Sequence, residues 1–240
     1  MWLFAVAANA QTTNQAFAAH AQQAFTQAKK DLAGRKNDPA AAVQFCRAAY
    51  ALAELSTNSE QRATVAQAGI AAAQELLARD AKSAPGHYYL AMSLGELAEA
   101  EAPSLHAYKL VKEIEREFKS AADLDVSYDS AGPARCLGLL YRDAPGWPVS
   151  IGSKHKARDW LDRAVALAPD FPENQLNQVE TGLRWRDAAA AEKALNKLEA
   201  IWPEAQKRLS GEAWDSFWDD WTTRRAAGKA EFEKVFKRVL

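Results

Sequence analysis

The fold is decided by the stretch Leu137-Gly138-Leu139-Leu140-Tyr141, followed by Ala157-Arg158-Asp159-Trp160-Leu161-Asp162-Arg163-Ala164 and by Pro169. Small and apolar residues recur here three and four positions apart, which is the spacing of one face of an α-helix. Gly138 would let two helix backbones approach closely, and a bulky residue such as Leu161 would fill the adjoining space. Proline cannot continue a helix, so Pro169 is expected to end the second one. The stretch predicts two packed helices joined by a turn.

The same frame occurs upstream, where Leu94-Gly95 is followed by Ile114-x3-Phe118-x2-Ala121. The separation from Gly95 to Ile114 is 19 positions, equal to that from Gly138 to Ala157. Repetition at a fixed separation indicates that both stretches are built as the same structural unit.

Two further fragments extend the repetition. One is Ala191-x3-Leu195-x2-Leu198, which precedes Pro203, and Pro203 lies 34 residues after Pro169. The other is Ala73-x3-Leu77, which precedes Pro85. A period of about 34 residues is typical of helix-turn-helix repeats. The four fragments together predict an array of helix pairs.

These fragments resemble the tetratricopeptide (TPR) signature, in which a small residue and an aromatic residue on the first helix receive the second helix. The resemblance covers residues 69 to 203. It implies an all-α fold, a solenoid of antiparallel helix pairs whose first helices line a concave groove. The family's usual separation at this turn is about 12 positions, so the units with Gly95 and Gly138 carry roughly seven extra residues there. The family's tryptophan at the first position is missing from every unit.

Proline and glycine punctuation divides the chain into about ten helices. We predict one helical-repeat domain over residues 11–240, with a TPR-like core at about 69–203, N-terminal helices at 12–68 and a C-terminal cap at 204–240. The predicted helices are 12–33, 39–55, 58–80, 86–101, 104–123, 131–142, 153–167, 172–184, 187–208 and 211–239, with a division of the last near Gly228 as an alternative.

Residues 1–10 form an apolar segment that ends in Ala8-Asn9-Ala10, a small-residue site of the kind that signal peptidase cuts. The basic start of a signal peptide is missing. We interpret the segment as a signal-peptide remnant, with a frayed N-terminus as the alternative. The remnant predicts a periplasmic or secreted protein.

The bulk composition excludes some classes of partner. The chain has 30 Lys and Arg against 31 Asp and Glu, so it lacks the basic excess of a nucleic-acid-binding protein. After residue 11 no apolar run is long enough to span a bilayer. Cys46 and Cys136 each lie in an apolar helical pattern. A disulfide between them is possible, but two separate buried thiols are favoured.

The segment Asp143–Ser153 is the most unusual in the chain, because two prolines and two glycines give it a fixed, non-helical path. In the functional interpretation, Trp147 is an anchor for a bound partner and Ser150 supplies hydrogen bonds beside it. In the structural interpretation, Trp147 fills a gap between repeats and Ser153 caps the next helix.

A second set of candidates is charged or polar. Arg135 and Arg142 lie two turns apart on one predicted helix face, and Arg158 begins the partner helix. The three guanidinium groups could bind a carboxylate or phosphate, although pairing with nearby aspartates is the favoured alternative. Three polar residues follow on the next first helix, the type that lines the groove in the family. They are Glu173, Asn174 and Glu180.

Trp214, Trp218 and Trp221 recur four and three positions apart, which places them on one helical face. Such a stripe could dock a partner. The last helix of a solenoid must also cover the exposed end of the stack, and we favour this aromatic capping role.

The sequence gives little indication of catalysis. Its four histidines are scattered, none has the spacing of a metal site, and no nucleotide-binding or nucleophile motif occurs. We therefore predict no cofactor, no metal and no enzymatic activity.

The predicted function is that of an exported scaffold that binds a protein segment or a small ligand in its groove. The alternative is a periplasmic accessory component of a solute transport system that binds an apolar or acidic ligand. Residues 131–138 and 144–148 are similar to the helical-repeat partner of TRAP-type transporters, and this resemblance would imply transporter components as partners.

Overall fold

The computed structural model describes the backbone of residues 3–237 and the side chains of residues 15–237. Over this range the regular secondary structure is helical, apart from a single bridge between Gly146 and Gly152. The helices are α1 (Leu3–Gly34), α2 (Pro39–Glu54), α3 (Ser59–Arg79), α4 (Ala84–Ala100), α5 (Leu105–Asp125), α6 (Tyr128–Asp143), α7 (Lys154–Leu167), α8 (Pro172–Trp185), α9 (Ala188–Arg208) and α10 (Asp215–Phe236), with a 3-10 turn at Glu212–Trp214 before α10.

The chain forms two compact units, residues 1–125 and residues 126–240. In the first unit each helix packs on the next one along the chain, and α2 also packs on α4. In the second unit α6 packs on α7, α7 on α8, and α8 on α9, while α10 packs on both α8 and α9. Each unit is therefore built of consecutive helix pairs, as predicted. The predicted boundaries between core and caps within a single domain stay a prediction.

Helix starts are fixed by side-chain caps and by proline. Asp38 accepts a hydrogen bond from the amide of Ala40 at 2.9 Å, and Asn58 accepts one from the amide of Glu60 at 2.8 Å. These bonds satisfy amides that have no partner within the helix. Pro39 and Pro172 occupy the first turns of α2 and α8, where a missing amide hydrogen costs nothing.

Glycine allows two of the helix pairs to pack closely. A Cβ added to Gly138 would lie 2.6 Å from Cγ of Leu161, which confirms the close approach predicted for this pair. A Cβ on Gly182 in α8 would lie 2.7 Å from the backbone nitrogen of Ala191 in α9. The equivalent role implied for Gly95 is wrong, because a Cβ there would meet no atom within 4 Å.

The seven-residue extension takes a different form in each of the two lengthened units. Helix α5 begins at Leu105, nine residues before Ile114, so most of the extension continues the helix. Helix α7 begins at Lys154, only three residues before Ala157, so there the extension is a loop. The prediction of a lengthened turn is correct for the second case and wrong for the first.

Proline and glycine in the last two helices do not interrupt them. Pro169 follows the end of α7 as predicted, and α9 continues through Pro203 to Arg208, in agreement with the predicted helix 187–208. Trp202 and Ala205 on either side of Pro203 are buried, and this burial outweighs one lost helical hydrogen bond. The alternative of a division near Gly228 is wrong, because Gly228 lies inside α10, close to Val179 of α8.

The aromatic stripe forms the predicted C-terminal cap. Trp221 is completely buried, and its ring centroid lies 5.4 Å from that of Phe171. The edge of Trp218 packs on Trp202 at 5.1 Å. Tilted and edge-on contacts of this kind are favourable for aromatic pairs, so α10 covers an apolar surface of α8 and α9 that would otherwise face water.

Cys46 and Cys136 are both thiols within the described part of the chain, not a disulfide. Cys46 is buried, its S–H donates to the carbonyl of Gly69, and burial raises its pKa to about 12. This agrees with the favoured prediction that Cys46 packs as a small hydrophobic residue.

The predicted export segment, residues 1–10, lies outside the residues whose side chains are described, and it stays a prediction. Within the described residues, no helix combines the length and apolar character that crossing a membrane requires.

Candidate functional site

The loop between α6 and α7 has a defined fold of its own. The amide of Gly152 donates to the carbonyl of Pro145 at 2.9 Å, and the amide of Val149 donates to the carbonyl of Gly146 at 3.0 Å. A Cβ on Gly152 would lie 2.0 Å from the carbonyl oxygen of Ala144, so only glycine fits this crossing. Residues 144–152, named here the Trp147 loop, therefore form a tip closed by their own backbone.

The tip of the Trp147 loop presents apolar side chains to solvent. Trp147 is 89% exposed and Val149 is 70% exposed, whereas Ser150 is half-buried and its amide donates to Gly146. Exposed tryptophan has a large apolar area that gains free energy when a partner covers it. The structure thus excludes the interpretation of Trp147 as a filler between repeats.

A cation cluster lies on the first turns of α7, directly after this loop. Its members are exposed, and they are Lys154, Lys156 and Arg158, with the exposed imidazole of His155 between the two lysines in the chain. Together with Trp185 and Asp187, part of the cluster lines a shallow depression of about 380 Å³. The cationic groups of Lys154 and Arg158 lie 5.9 Å and 5.7 Å from the centroid of the Trp185 ring. Cations held over an aromatic face are favourably placed, and these two still face solvent.

Arg135 does not face a groove, because it is buried and has internal partners. Its guanidinium donates to the carbonyl of Ser130 at 3.1 Å and to Oδ1 of Asn174 at 3.2 Å, and it lies 5.3 Å from the Phe171 ring. Residues 129–131 have φ angles of 51°, 55° and 64°, a left-handed conformation that is costly for non-glycine residues. Arg135 stabilises this turn by binding its carbonyl oxygens.

Asn174 is the second member of the same buried group, with a side chain that is only 1% exposed. Its Nδ2 lies within hydrogen-bond distance of three carbonyls, those of Ser130 and Ala164 at 3.2 Å and that of Ala168 at 3.1 Å. Ala164 and Ala168 lie at the end of α7, and each of their carbonyls also accepts one backbone amide, from Ala168 and Phe171 respectively. Asn174 therefore adds a second donor at this helix end.

Glu173 and Glu180 bind the cap. Arg224 of α10 donates to Glu173 at 2.9 Å and to Glu180 at 2.7 Å, and it also donates to Asn177 at 2.8 Å. Burial opposes the charge of Glu173, but the positive charges of Arg224 and Arg135 outweigh it and hold the pKa of Glu173 below its usual value. The two carboxylates fix α10 on α8.

Arg142 also has partners within the second unit. Its guanidinium makes two hydrogen bonds to Asp143, each 2.9 Å, and one to the hydroxyl of Thr181 at 3.3 Å. Of the eight predicted site residues, three therefore lie on or beside the Trp147 loop with exposed or half-buried side chains, namely Trp147, Ser150 and Arg158. The other five have internal partners, and their role in binding stays a prediction.

Sequence reasoning missed three surface residues. Val149 is exposed on the same loop as Trp147, and Lys154 and the half-buried Trp185 line the depression together with Arg158. A signal was present in the sequence, since residues 144–158 contain no Asp or Glu. In the part of the chain whose side chains are described, no three His, Cys, Asp or Glu residues are grouped to hold a metal ion.

The first unit contains a carboxylate with an unusual pKa. Glu96 is only 12% exposed, and its Oε2 has no hydrogen-bond partner among the described residues. Burial and the nearby charge of Glu54 raise its pKa to about 7, although Arg62 at 3.7 Å acts in the opposite direction. Because the folded pKa exceeds that of an unfolded Glu, the protonated form favours folding.

Glu96→Gln is expected to raise stability above neutral pH. The folding contribution of protonated Glu96 is complete below about pH 4.3, the unfolded pKa, and is lost as the pH rises through 7. At pH 8 the variant should therefore gain on the order of 1–2 kcal/mol, and at pH 4.5 almost nothing. Urea unfolding at both pH values measures this difference. Glu75→Gln, at an exposed carboxylate of α3 that pairs with Arg79, is the control and should not show the pH-dependent gain.

Comparisons with known proteins agree with the fold. No protein-family model and no curated protein matches the chain. Among solved structures, the chain is similar to the crystal structure of a thermophilic TPR protein in Thermus thermophilus, with a TM-score of 0.60 and 19% sequence identity. The match covers 87% of this chain and 90% of that chain. The likeness confirms a TPR-like arrangement of helix pairs. It does not connect the chain to a transport system, so the TRAP-type resemblance stays a prediction.

Proposed function

We propose that the chain is a non-catalytic scaffold that binds a protein segment, and that the Trp147 loop is a docking element of its second unit. The TPR-like fold suggests a protein-binding scaffold. The position of the docking element is supported by one observation above the others, the 89% exposure of Trp147 on a loop closed by its own hydrogen bonds.

A preformed loop lowers the cost of binding. Ordering a flexible segment at an interface opposes association, whereas a loop already held in one conformation avoids most of that loss. Tryptophan is also among the residues that contribute most when they enter a partner's pocket. Trp147 and Val149 together supply such an anchor, and Ser150 and Arg158 supply polar groups beside it.

The proposal moves the binding surface away from the polar residues of α8. Glu173, Asn174 and Glu180 already bind Arg224, Arg135 or backbone carbonyls. A ligand at these groups would have to replace existing charge-assisted hydrogen bonds, which are stronger than neutral ones. Trp147 requires no such replacement.

Trp147→Ala is expected to lower the affinity for a protein partner by about 10- to 100-fold, as is typical of an aromatic residue at the centre of an interface. Stability should stay within roughly 0.5 kcal/mol of the parent because the side chain is exposed. The partner is first identified by placing a photo-crosslinking amino acid at position 149 in the native host, which keeps Trp147 in place. Affinity and thermal stability are then measured on the purified pair.

Two variants control this experiment. Trp147→Phe keeps an aromatic anchor and should retain most of the affinity, whereas Leu167→Ala removes a partly exposed apolar side chain of the same unit outside the loop and should not change binding. Undiminished binding by Trp147→Ala would place the docking element elsewhere. Native mass spectrometry that finds a co-purifying small molecule and no protein partner would favour the solute-binding alternative.

We also propose that the scaffold works outside the cytoplasm, on the pattern of residues 1–10. Fractionation of the native host should recover the protein in the periplasm or the medium. Recovery in the cytoplasm would contradict this part of the proposal.

A further inference from the structure

Both extensions of the repeat, and not the Trp147 loop alone, carry exposed apolar side chains. In the first unit, Leu105 is 82% exposed and Tyr108 is 51% exposed, and both lie on the first turn of the lengthened α5. Among the large apolar side chains of residues 15–237, the four most exposed are these two together with Trp147 and Val149. Strongly exposed apolar side chains thus occur in the extension of the repeat in each unit.

The two extensions also share a charge pattern. Residues 102–112 contain no Asp or Glu, and neither do residues 144–158, in a chain with slightly more acidic than basic residues. Exposed cations follow the apolar pair in both segments. They are Lys109 and Lys112 in α5, and Lys154, Lys156 and Arg158 in α7.

Two lysines in the first turn of α7 oppose the helix dipole but lie over aromatic rings. The start of a helix carries a partial positive charge, so Lys154 and Lys156 are slightly unfavourable there. The ammonium of Lys154 lies 5.9 Å from the centroid of the Trp185 ring, and that of Lys156 lies 5.0 Å from the centroid of the Tyr141 ring. Both lysines remain exposed, so their positive charge is available to an anionic partner.

We infer that each extension is a docking position for an acidic protein segment with an apolar anchor residue, an inference that rests on the proposed scaffold function. The apolar pair of the extension would cover the anchor, and the cations that follow would bind Asp or Glu side chains of the segment. Opposite charge at the rim raises the association rate and excludes basic partners. The second position, at Leu105 and Tyr108, is independent of the first.

Within the second unit the distances favour one segment that reaches both groups. Gly146 pairs with Gly152, Trp147 is adjacent to Gly146, and Lys154 is two residues beyond Gly152. From standard backbone lengths, the Cα atoms of Trp147 and Lys154 are at most about 16 Å apart. A short extended peptide spans this distance.

The carboxylates around the cation cluster favour a peptide over an anionic membrane surface. Arg158 pairs with Asp187 at 3.4 Å, His155 pairs with Asp159 at 2.8 Å, and Arg184 pairs with Asp143 at 2.5 Å. A flat anionic surface would bring its charge against all three aspartates. A peptide can place separate carboxylates on Lys154 and Lys156 and avoid them.

The test uses the full chain and a synthetic peptide in which Asp and Glu flank a Leu-Phe pair. Fluorescence anisotropy measures its affinity at increasing salt, with a Lys-flanked peptide and vesicles of anionic phospholipid as alternative probes. We expect the acidic peptide to bind, the Lys-flanked peptide not to bind, and the affinity to fall with salt. Lys154→Glu with Lys156→Glu should weaken binding by at least about tenfold.

The same double change should leave thermal stability nearly unchanged, because acidic residues suit the start of a helix while the contacts of the two lysines with Trp185 and Tyr141 are lost. Loss of binding with retained thermal stability thus separates recognition from folding. Lys29→Glu with Lys30→Glu, in exposed positions of α1, makes the same change in net charge and should not weaken binding. The double substitution Leu105→Ala with Tyr108→Ala should remove the docking position of the first unit. Fewer peptides should then bind per protein chain.

Three results would overturn the inference. The first is equal affinity for the acidic and Lys-flanked peptides. The second is a loss of peptide affinity in the Lys29→Glu, Lys30→Glu variant equal to that in the α7 variant. The third is binding of the vesicles without binding of the peptide. If a crosslinked partner is lost on Trp147→Ala but is unaffected by Lys154→Glu with Lys156→Glu, the scaffold function stands and the acidic partner class fails. If no protein binds at all, the scaffold function fails as well.

Discussion

Gly182→Ala is expected to lower the free energy of unfolding by about 2–4 kcal/mol. The added Cβ would lie 2.7 Å from the nitrogen, 2.9 Å from Cα and 2.9 Å from Cβ of Ala191. Two of these atoms are backbone, so no side-chain rotation relieves the overlap and α9 must shift relative to α8. The shift would also disturb Val179 and Leu195, which are packed in the same apolar cluster. Urea unfolding followed by circular dichroism measures the loss.

Gly95→Ala is the matched control, since it makes the same substitution inside α4 at a position where the new Cβ meets nothing within 4 Å. Alanine is favoured over glycine within a helix, so this variant should gain about 0.5–1 kcal/mol. The two substitutions are thus expected to differ in sign. If the two variants have the same free energy of unfolding, α8 and α9 can move apart at Gly182 without loss of stability.

Asn174→Ala is expected to cost about 2–4 kcal/mol, because several buried hydrogen bonds are lost at once. The carbonyls of Ala164 and Ala168 each lose one of two donors, and Arg135 loses a buried acceptor. A buried hydrogen bond contributes about 0.5–1.5 kcal/mol, and one to a charged group contributes more. Thermal and chemical unfolding of the purified variant measure the total.

Asn196→Ala provides the control for this substitution, since Asn196 is exposed on α9 and alanine has the higher helix propensity, so stability should rise by a few tenths of a kcal/mol. A loss at Asn174 below roughly 1 kcal/mol would mean that the left-handed turn at residues 129–131 does not depend on this amide. It would also return Asn174 to the set of candidate binding residues.

Helix existence and most helix ends could be predicted from the sequence, because capping residues, prolines and apolar spacing act within a few positions of one another. Pro203 and Gly228 both lie inside helices, the first as predicted and the second against the alternative of a division there. Their local tendency to interrupt a helix is outweighed by packing of α9 and α10 against neighbours that sequence spacing does not reveal. Gly95 and Gly138 stand in the same motif, and only the path of the following helix distinguishes them.

The candidate site was less predictable than the fold. Arg135 and Asn174 are 39 positions apart, and Glu173 and Arg224 are 51 positions apart, so nothing local indicates that their charges and hydrogen bonds are satisfied internally. Trp147 could be identified because two prolines and two glycines exclude its segment from any helix. Lys154 and Trp185, which line the depression after the loop, meet only after α7 and α8 pack together.

The closure of the Trp147 loop at Gly146 and Gly152 makes residues 147–151 an exchangeable insert. The backbone bonds that close it lie outside the five side chains at its tip, so those side chains can change without altering the helices on either side. Recognition can then diverge among descendants of this protein while the array stays constant. The same five positions are the place to graft a chosen binding motif.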